Sequence, residues 1–311
     1  MSSAIEVSGL RKAFGDKVVL DGIDLVVEAG TVFSLLGPNG AGKTTTVNVL
    51  ATLMAADGGS VRVAGHDVAA ETKAVRATIG VTGQFAAVDE LLTGQENLQL
   101  MADLHRVADG RQVIGRLLER FDLVEAGPKL VNSYSGGMRR KLDLAMTLVG
   151  DPSIIFLDEP TTGLDPRSRR TMWDIIRELL AEGVTIFLTT QYLEEADQLA
   201  DRVAVLDQGR IVAQGTPDEL KRQAPGSHVR LRFAGPGDLE AAARLFAGST
   251  RDDEALTLRV PGDGGTEPVR ILLNQLHDNA LHAEDFSVHT PDLDDVFLAL
   301  TGRPNAEVVT K

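Results

Sequence analysis

The chain has 311 residues, of which 43% are apolar and 24% charged, so we expect a folded globular protein of about two domains. It contains no cysteine, which excludes disulfides, cysteine-based zinc sites and a thiol nucleophile. A net charge of −14 argues against non-specific binding to nucleic acid or anionic lipid, and no apolar run approaches the ~20 residues of a membrane-spanning helix.

The first 30 residues have the alternating pattern of antiparallel strands, punctuated by Gly22 and Gly30 as predicted turns. The predicted strands are 5–7, 18–20 and 23–27. Phe14 lies in a loop-like stretch between the first two strands. An aromatic ring there suits stacking on adenine, and packing in the core accounts for it equally well.

A glycine-rich loop follows the apolar strand that ends at Leu36 and precedes the helix that contains Thr45. The loop consists of Gly37, Pro38, Asn39, Gly40, Ala41, Gly42, Lys43 and Thr44. Glycines let successive N–H groups turn toward a phosphate, and the helix N-terminus adds positive potential. In this pattern Lys43 reaches the β- and γ-phosphates, and the Thr44 hydroxyl binds Mg²⁺. The strand–loop–helix context therefore predicts a nucleotide site rather than a plain turn.

Two short strands come next, at 60–65 and 78–84, before the spacing of apolar residues becomes helical from about 88 to 131. We interpret the helical segment as an insertion into an α/β core. Gln84 stands at the junction, where it is either a hinge residue or a solvated polar end of a strand.

Ser135, Gly136 and Gly137 open the following predicted helix. A glycine-flanked helix N-terminus is a second potential anion site, although the serine by itself fits an ordinary N-cap. The residues alone leave both interpretations open, and the strand that follows helps to decide between them.

An apolar run from Ser153 to Leu157 ends in two adjacent carboxylates, Asp158 and Glu159. Such a run predicts a central parallel strand, and ligands in parallel sheets bind at the carboxyl ends of strands. One carboxylate can hold Mg²⁺ through water, and the other can take a proton from an attacking water. Repulsion between the two requires a cation nearby, which favours a functional site.

The α/β pattern continues up to a change in composition at 222–227, which indicates a linker. The predicted elements are a turn-rich loop at 160–166, a helix at 169–182, a strand at 184–190 that ends at Gln191, an acidic helix from 192, and a hairpin of strands 202–207 and 210–214. We therefore predict a first domain at 1–222, with a helical subdomain at about 88–150, and a second domain at 228–311.

The second domain alternates short strands and helices, which indicates a small α+β module. The predicted strands are 228–233, 255–260 and 283–289, and the predicted helices are 238–246, 269–279 and one from 293. The module has no catalytic constellation, and its histidines lack the clustering of a metal site.

The order of these motifs, with the phosphate loop first, then Gln84, Ser135-Gly136-Gly137 and Asp158-Glu159, resembles the ATPase subunit of ATP-binding cassette (ABC) transporters. The resemblance covers the first domain. It implies an α/β fold: the P-loop NTPase core of an ABC cassette, with an antiparallel β flank, a helical insertion and a small C-terminal α+β accessory domain.

The resemblance also implies roles for the site residues. ATP binds to Phe14, to the loop from Gly37 through Thr45 and to Asp158, and Mg²⁺ binds to Thr44, Gln84 and, through water, Asp158. Glu159 is the catalytic base, while Gln84 and Gln191 place the water and the γ-phosphate. Ser135, Gly136 and Gly137 bind the γ-phosphate held by a second copy of the chain, and Asp165 belongs to the D-loop between the copies.

Two departures from the family pattern stand out. Tyr134 and Met138 flank the signature serine and glycines where Leu and Gln are usual, and Gln191 replaces the usual switch histidine. Gln can still donate a hydrogen bond to a γ-phosphate, but it cannot carry a positive charge.

The stretches 81–84, 189–197 and 293–302 resemble the daunorubicin/doxorubicin-resistance ATPases, which work with a separate ABC-2-type permease in the membrane. This resemblance implies an ATP-hydrolysing subunit of a drug exporter, peripheral on the cytoplasmic side of the cell membrane. The C-terminal module would then help assembly or coupling, or simply pack as an appendage.

Two alternatives remain open. An ABC-2 ATPase of this type could export a lipid, a glycan or another native substrate, since the ATPase does not contact the cargo. A soluble ABC ATPase that acts on ribosomes or DNA fits less well, because the chain has one phosphate loop, no coiled-coil insertion and an acidic charge. We accordingly expect no nucleic-acid partner.

Overall fold

The computed structural model describes residues 2–223, 227–262, 265–289 and 291–302. The chain divides into two compact units, Met1–Pro217 and Asp218–Lys311. Within the described part of the chain, none of the helices combines the length and apolar character needed to cross a membrane.

The first unit contains ten strands and seven α-helices among its described residues. The strands are β1 (Ser3–Phe14), β2 (Lys17–Glu28), β3 (Val32–Leu36), β4 (Gly58–Val63), β5 (His66–Asp67), β6 (Ile79–Thr82), β7 (Ile154–Asp158), β8 (Thr185–Thr190), β9 (Arg202–Asp207) and β10 (Arg210–Gly215). The helices are α1 (Lys43–Leu50), α2 (Thr72–Thr78), α3 (Gly94–His105), α4 (Gly110–Arg120), α5 (Gly136–Leu148), α6 (Pro166–Ala181) and α7 (Leu193–Leu199).

A mainly parallel sheet forms the centre of this unit, with the strand order β10-β9-β3-β8-β7-β6. Every residue of β3, β7 and β8 is buried, as expected for apolar strands covered on both faces. Strands β9, β3, β8, β7 and β6 run parallel, so their carboxyl ends lie at one edge. The predicted hairpin is confirmed, because β10 pairs antiparallel with β9.

The predicted antiparallel flank is a second sheet with the order β2-β1-β4-β5. Two details of the prediction were wrong. Gly22 does not end a strand but lies inside the 12-residue β2, beside a register shift opposite Leu10 and Arg11. Phe14 is the last residue of β1 rather than part of a loop. Glycine at a bulge and glycine at a turn give the same sequence signal, since both exploit positive φ.

The helical insertion contains α3, α4 and the start of α5. Thr93 and Glu96 form a capping box at the start of α3, with Thr93 Oγ1 accepting from the Glu96 amide at 3.1 Å. Apolar side chains of these helices join α6 and one face of the parallel sheet in a single core. Representative members are Leu98, Phe121, Leu142, Leu157 and Trp173.

The boundary between the units falls after the first residue of α8 (Pro217–Gln223), so a helix occupies the start of the segment predicted as a linker. Residues 224–226 of that segment, and 303–311 of the predicted domain, lie outside the described residues. The other elements are β11 (His228–Phe233), α9 (Pro236–Leu245), β12 (Thr250–Asp252), β13 (Thr257–Pro261), α10 (Thr266–Asp278), β14 (Ala283–His289) and α11 (Leu293–Thr301). The sheet is antiparallel with the order β12-β13-β11-β14, which confirms the α+β prediction.

Candidate functional site

The glycine-rich loop lies between β3 and α1, tightly packed against neighbouring strands. A Cβ at Gly37 would lie 2.3 Å from the Leu206 carbonyl oxygen of β9. At Gly42, where φ is 115°, a Cβ would lie 2.6 Å from Leu20 Cδ2 of β2. Side chains are thus excluded from both positions, and the backbone itself forms the wall of the loop.

Lys43 and Glu159 converge beneath this loop. Lys43 Nζ lies 3.1 Å from Glu159 Oε1 and donates hydrogen bonds to the carbonyl oxygens of Gly37 (2.7 Å) and Pro38 (3.2 Å). The two side chains are only 4% and 6% exposed, so the charges interact with little screening by water. Glu159 has a positive φ of 50°, an uncommon conformation for a non-glycine residue that often marks a functional position.

Asp158 is held by the neighbouring strand β8. Thr189 Oγ1 donates a hydrogen bond to Asp158 Oδ1, and the Glu159 amide donates to the Thr189 carbonyl oxygen at 3.1 Å. The strand-end carboxylates therefore have fixed positions relative to β8. Sequence reasoning did not identify Thr189, because a threonine at the end of a buried strand carries no distinctive signal.

Gln191 and Gln84 follow the strands on either side of β7. Gln191 is half-buried, one residue after Thr190, whose carbonyl oxygen accepts from the Gly37 amide at 3.2 Å. Gln84 is exposed, two residues after β6 ends. The strand order thus places Gln84, the two carboxylates, Gln191 and the phosphate loop along one edge of the sheet.

The polar groups of this edge match a phosphate and a divalent cation. Thr44 is exposed at the start of α1, with the half-buried Thr45 next to it. Hydroxyl and carboxylate oxygens such as those of Thr44 and Asp158 are the ligands that Mg²⁺ prefers. The ammonium group of Lys43 and the N–H groups of the glycine loop supply the donors that a phosphate needs.

Arg140 is a buried residue that sequence reasoning missed. Its guanidinium donates to the carbonyl oxygens of Gly83 (2.6 Å), Asp158 (3.2 Å) and Pro160 (3.0 Å), and it pairs with Asp143 at 3.3 Å. Asp143 in turn accepts from the Ala87 amide at 2.9 Å. Arg140 therefore ties the segment before Gln84 and the carboxylate-bearing strand end to helix α5.

Ser135, Gly136 and Gly137 lie at the start of helix α5. Ser135 is the N-cap of α5 and accepts from the Met138 amide at 3.2 Å, while Ser135 and Gly136 are both exposed. Ser135 and Gly137 line a cleft of about 380 Å³ together with both basic (Lys141, Arg167) and acidic (Asp122, Glu178) side chains. No residue of the phosphate loop lines this cleft.

Asp165 and the α5 start meet through Ser168. Asp165 caps α6 by accepting from the amides of Arg167 and Ser168, both at 3.0 Å, and from Ser168 Oγ at 2.6 Å. These hydrogen bonds, with that of the Ser168 hydroxyl the largest, lower the pKa of Asp165. A Cβ at Gly137 would lie 2.8 Å from Ser168 Oγ, so the two helix starts are in close contact.

Tyr134 and Phe14 have contrasting environments. Tyr134 is 3% exposed and donates its hydroxyl hydrogen to the Ala126 carbonyl oxygen at 2.7 Å, so it anchors the α5 start in the helical core. Phe14 is 50% exposed, with Lys12 Nζ 5.6 Å from the centre of its ring. Its strand β1 pairs with β2, which contacts Gly42 through Leu20.

A phosphate loop at a strand end, with paired carboxylates at the end of the next strand but one in the same sheet, is typical of P-loop nucleotide-binding proteins. The sequence profile described as "ABC transporter" matches residues 20–162. The daunorubicin resistance ATP-binding protein DrrA3 of Streptomyces coeruleorubidus is 50% identical over 304 residues, covering 96% of both chains. The Nod factor export ATP-binding protein I of Rhizobium sp. is 38% identical, covering 96% of this chain and 97% of its own.

A solved structure of an ATP-binding subunit of an ABC transporter is similar to this chain. It has a TM-score of 0.65 and 29% identity, covering 71% of this chain and 92% of its own. The chain belongs to the ABC transporter family, as an ATP-binding subunit that hydrolyses ATP to drive transport. The predicted family, fold class and enzymatic activity are thereby confirmed.

Proposed function

We propose that this chain powers the export of an anthracycline-like drug through a separate ABC-2-type permease, at the cytoplasmic side of the cell membrane. The observation that carries this proposal is the 50% identity, over nearly the whole of both chains, to a daunorubicin resistance protein. Export of a lipid, a glycan or another native substrate is the second candidate, because a relative with 38% identity is named for Nod factor export.

The proposed chemistry uses the convergence of Lys43, Asp158 and Glu159. When bound, Mg²⁺-ATP supplies the phosphoanhydride bond that water cleaves to ADP and phosphate. We assign Lys43 to binding of the β- and γ-phosphates. Its ammonium group would then donate to phosphate oxygens instead of to Glu159 and the loop carbonyl oxygens. Glu159 then accepts the proton of the attacking water. Gln191 donates a hydrogen bond to the γ-phosphate, a role that needs no charge.

The remaining predicted residues bind rather than react. We assign Thr44 and Gln84 to Mg²⁺ directly and Asp158 to Mg²⁺ through water, and the amides from Gly37 through Thr45 to the phosphates. Phe14 stacks on the adenine, a role that its 50% exposed ring supports. Asp158 is suited to an indirect contact, since Thr189 already holds one of its carboxylate oxygens.

We propose that the working unit is a dimer of two copies of this chain. Ser135 and Gly136 are exposed at the helix N-terminus, and Ser135 and Gly137 line a cleft that includes no residue of the phosphate loop of the same chain. In a dimer each N-terminus would bind the γ-phosphate on the opposite copy, so that two ATP molecules lie between the copies. Asp165, whose helix start contacts Gly137 through Ser168, would lie at the same interface.

The assignment of the base is tested with the variant Glu159→Gln, which keeps the shape of the side chain and removes its charge. We expect steady-state ATP hydrolysis to fall by about two orders of magnitude or more, while ATP binding, measured in parallel, is retained. Glu119→Gln, at an exposed position of α4, is the matched control and should hydrolyse ATP like the wild type. Unchanged turnover in Glu159→Gln would refute the role of Glu159.

The substrate is tested with the co-purified permease reconstituted in lipid vesicles. We expect daunorubicin or doxorubicin to stimulate ATP hydrolysis and to be transported in an ATP-dependent manner. Stimulation by a lipid or glycan but not by either drug would favour the second candidate. Failure to co-purify with any membrane protein would contradict both.

A further inference from the structure

Glu195 is a fully buried glutamate that connects three segments of the first unit. It lies on α7, and its Oε1 atom accepts hydrogen bonds from Thr161 Oγ1 at 2.8 Å and from Trp173 Nε1 at 3.1 Å. A carboxylate removed from water is costly unless hydrogen bonds and charges compensate for its lost hydration. Its position therefore depends on these partners.

Each partner of Glu195 belongs to a segment with a proposed role at the nucleotide. Thr161 comes two residues after Glu159, in the loop that leads to Asp165. Trp173 lies on α6, the helix that Asp165 caps. Glu195 itself comes four residues after Gln191, and Gln191 directly follows the end of β8. One carboxyl group thus joins the catalytic strand end, the D-loop helix and the Gln191 segment.

A small set of polar side chains surrounds the buried carboxyl group of Glu195. Burial raises the pKa of Glu195. Hydrogen bonds from Thr190, Thr161 and Trp173 and the charge of Arg169 offset this effect only in part. The adjacent Glu194 contrasts with it, since its side chain is 66% exposed and lies 3.7 Å from Arg169.

We propose that Glu195 is a positioning residue that locks the Gln191 segment to the loop after Glu159, so that a shift of either segment at the nucleotide moves the other. The proposal rests on the proposed roles of Glu159 and Gln191. It also makes Trp173 a built-in reporter, because the chain contains a single tryptophan and its indole N–H donates to Glu195.

The test compares Glu195→Leu and Glu195→Gln with the matched control Glu194→Leu on the same helix. Leucine removes the acceptor of both hydrogen bonds, so we expect kcat to fall about tenfold or more. The Kd of ATP should stay within about twofold, because no atom of Glu195 is placed at the nucleotide. Glutamine keeps an acceptor oxygen and should restore most of the activity, and Glu194→Leu should match the wild type.

Tryptophan fluorescence gives a readout that a purely structural role would not move. In the wild type, we expect a non-hydrolysable ATP analogue with Mg²⁺ to change the Trp173 emission. The change should persist in Glu195→Gln and Glu194→Leu and disappear in Glu195→Leu. If Glu195→Leu does not fold, Thr161→Val replaces it, since it removes one hydrogen bond at nearly constant shape and should lower kcat without changing the Kd of ATP.

Three results would overturn the proposal. The first is a wild-type kcat in Glu195→Leu or, if that variant does not fold, in Thr161→Val. The second is a loss of ATP affinity equal to the loss of kcat. The third is a nucleotide-dependent emission change in Glu195→Leu that equals that of the wild type. The proposed function fails separately, if Glu159→Gln hydrolyses ATP like the wild type. The positioning role alone would be refuted if Glu159→Gln loses ATP hydrolysis as expected while the Glu195 and Thr161 variants behave like the wild type.

Discussion

Arg140 shows how a single side chain can stabilise several functional segments. Its guanidinium donates to three carbonyl oxygens and pairs with the buried carboxylate of Asp143. We expect Arg140→Met to lower the free energy of unfolding by about 3–5 kcal/mol, because it leaves the Asp143 charge buried without its partner. Urea denaturation followed by circular dichroism measures this loss.

The neighbouring residue provides the control for Arg140. Arg139 is only partly buried, and its ion pair with Glu90 is 3.5 Å long and open to solvent. Arg139→Met should therefore cost no more than about 1 kcal/mol. The double variant Arg140→Met/Asp143→Leu should recover part of the loss, since it removes the unpaired charge. Equal losses in the Arg139 and Arg140 variants would contradict the importance of the buried network.

The pH dependence of stability should reveal the burial of Glu195. Burial raises its pKa in the folded protein above the ordinary value of 4.5. Its contribution to stability is therefore fully present below the unfolded pKa and is lost as pH rises through the folded pKa. Glutamine does not ionise, so Glu195→Gln should gain stability relative to the wild type as the pH rises from the unfolded pKa of Glu195 to its folded pKa. Thermal unfolding of both proteins across this range measures the difference, and a constant difference would contradict the raised pKa.

Residues such as Arg140 and Glu195 could not be predicted to be buried from the sequence. Arg140 stands between Arg139 and Lys141, and Glu195 follows Glu194, so each looks like part of a solvated charged surface. Their burial depends on which helix face meets the sheet, a tertiary property. Lys43, Asp158 and Glu159 were predictable because the loop and the strand end carry local patterns, although their roles remain predictions.

At the scale of elements, the glycine loop predicts a difference between two substitutions. Gly40 has φ 82° with open space at its Cβ position, whereas Gly42 has φ 115° and lies close to Leu20 and Val19. Both alanine variants bear the cost of a positive φ, about 1 kcal/mol each. Gly42→Ala must also displace Leu20 and the Val19 carbonyl oxygen, so it should unfold at lower temperature and bind ATP more weakly than Gly40→Ala. Equal behaviour of the two variants in calorimetry and ATP binding would contradict this explanation.

The elements themselves were largely predictable, because three mainly apolar buried strands and the amphipathic helices have recognisable sequence patterns. The prediction was wrong where one residue type serves two purposes. Gly22 produces a bulge inside β2 rather than a turn, and Pro166 is the first residue of α6 rather than the end of a loop. Proline is favoured at the first helical position because it lacks only an N–H group that would have no intrahelical partner.

At the scale of the whole molecule, the strand order brings together residues that are far apart in sequence. Lys43 and Glu159 are adjacent in space because β3 and β7 both flank β8, an arrangement that no local pattern reveals. The same fold leaves Ser135 on an exposed helix end, in a cleft that the phosphate loop of its own chain does not line. In the proposed dimer, a second copy would bring this helix end to the phosphate loop.

This geometry predicts complementation between two inactive variants. Lys43→Ala disables the phosphate loop, and Ser135→Arg disables the helix end that would bind the opposite γ-phosphate. Each variant alone should lack ATP hydrolysis, while Ser135→Arg should still bind ATP. In an equal mixture, half of the dimers contain both variants and one intact composite site, so about a quarter of the wild-type rate should return if sites work independently. The double variant Lys43→Ala/Ser135→Arg, mixed with itself, is the control and should stay inactive.

If the mixture of folded single variants also stays inactive while gel filtration shows mixed dimers, hydrolysis either requires both sites at once or does not use Ser135 in trans. Mixing each single variant with the wild type separates these explanations, because only the first predicts that mixed dimers with one intact site are silent.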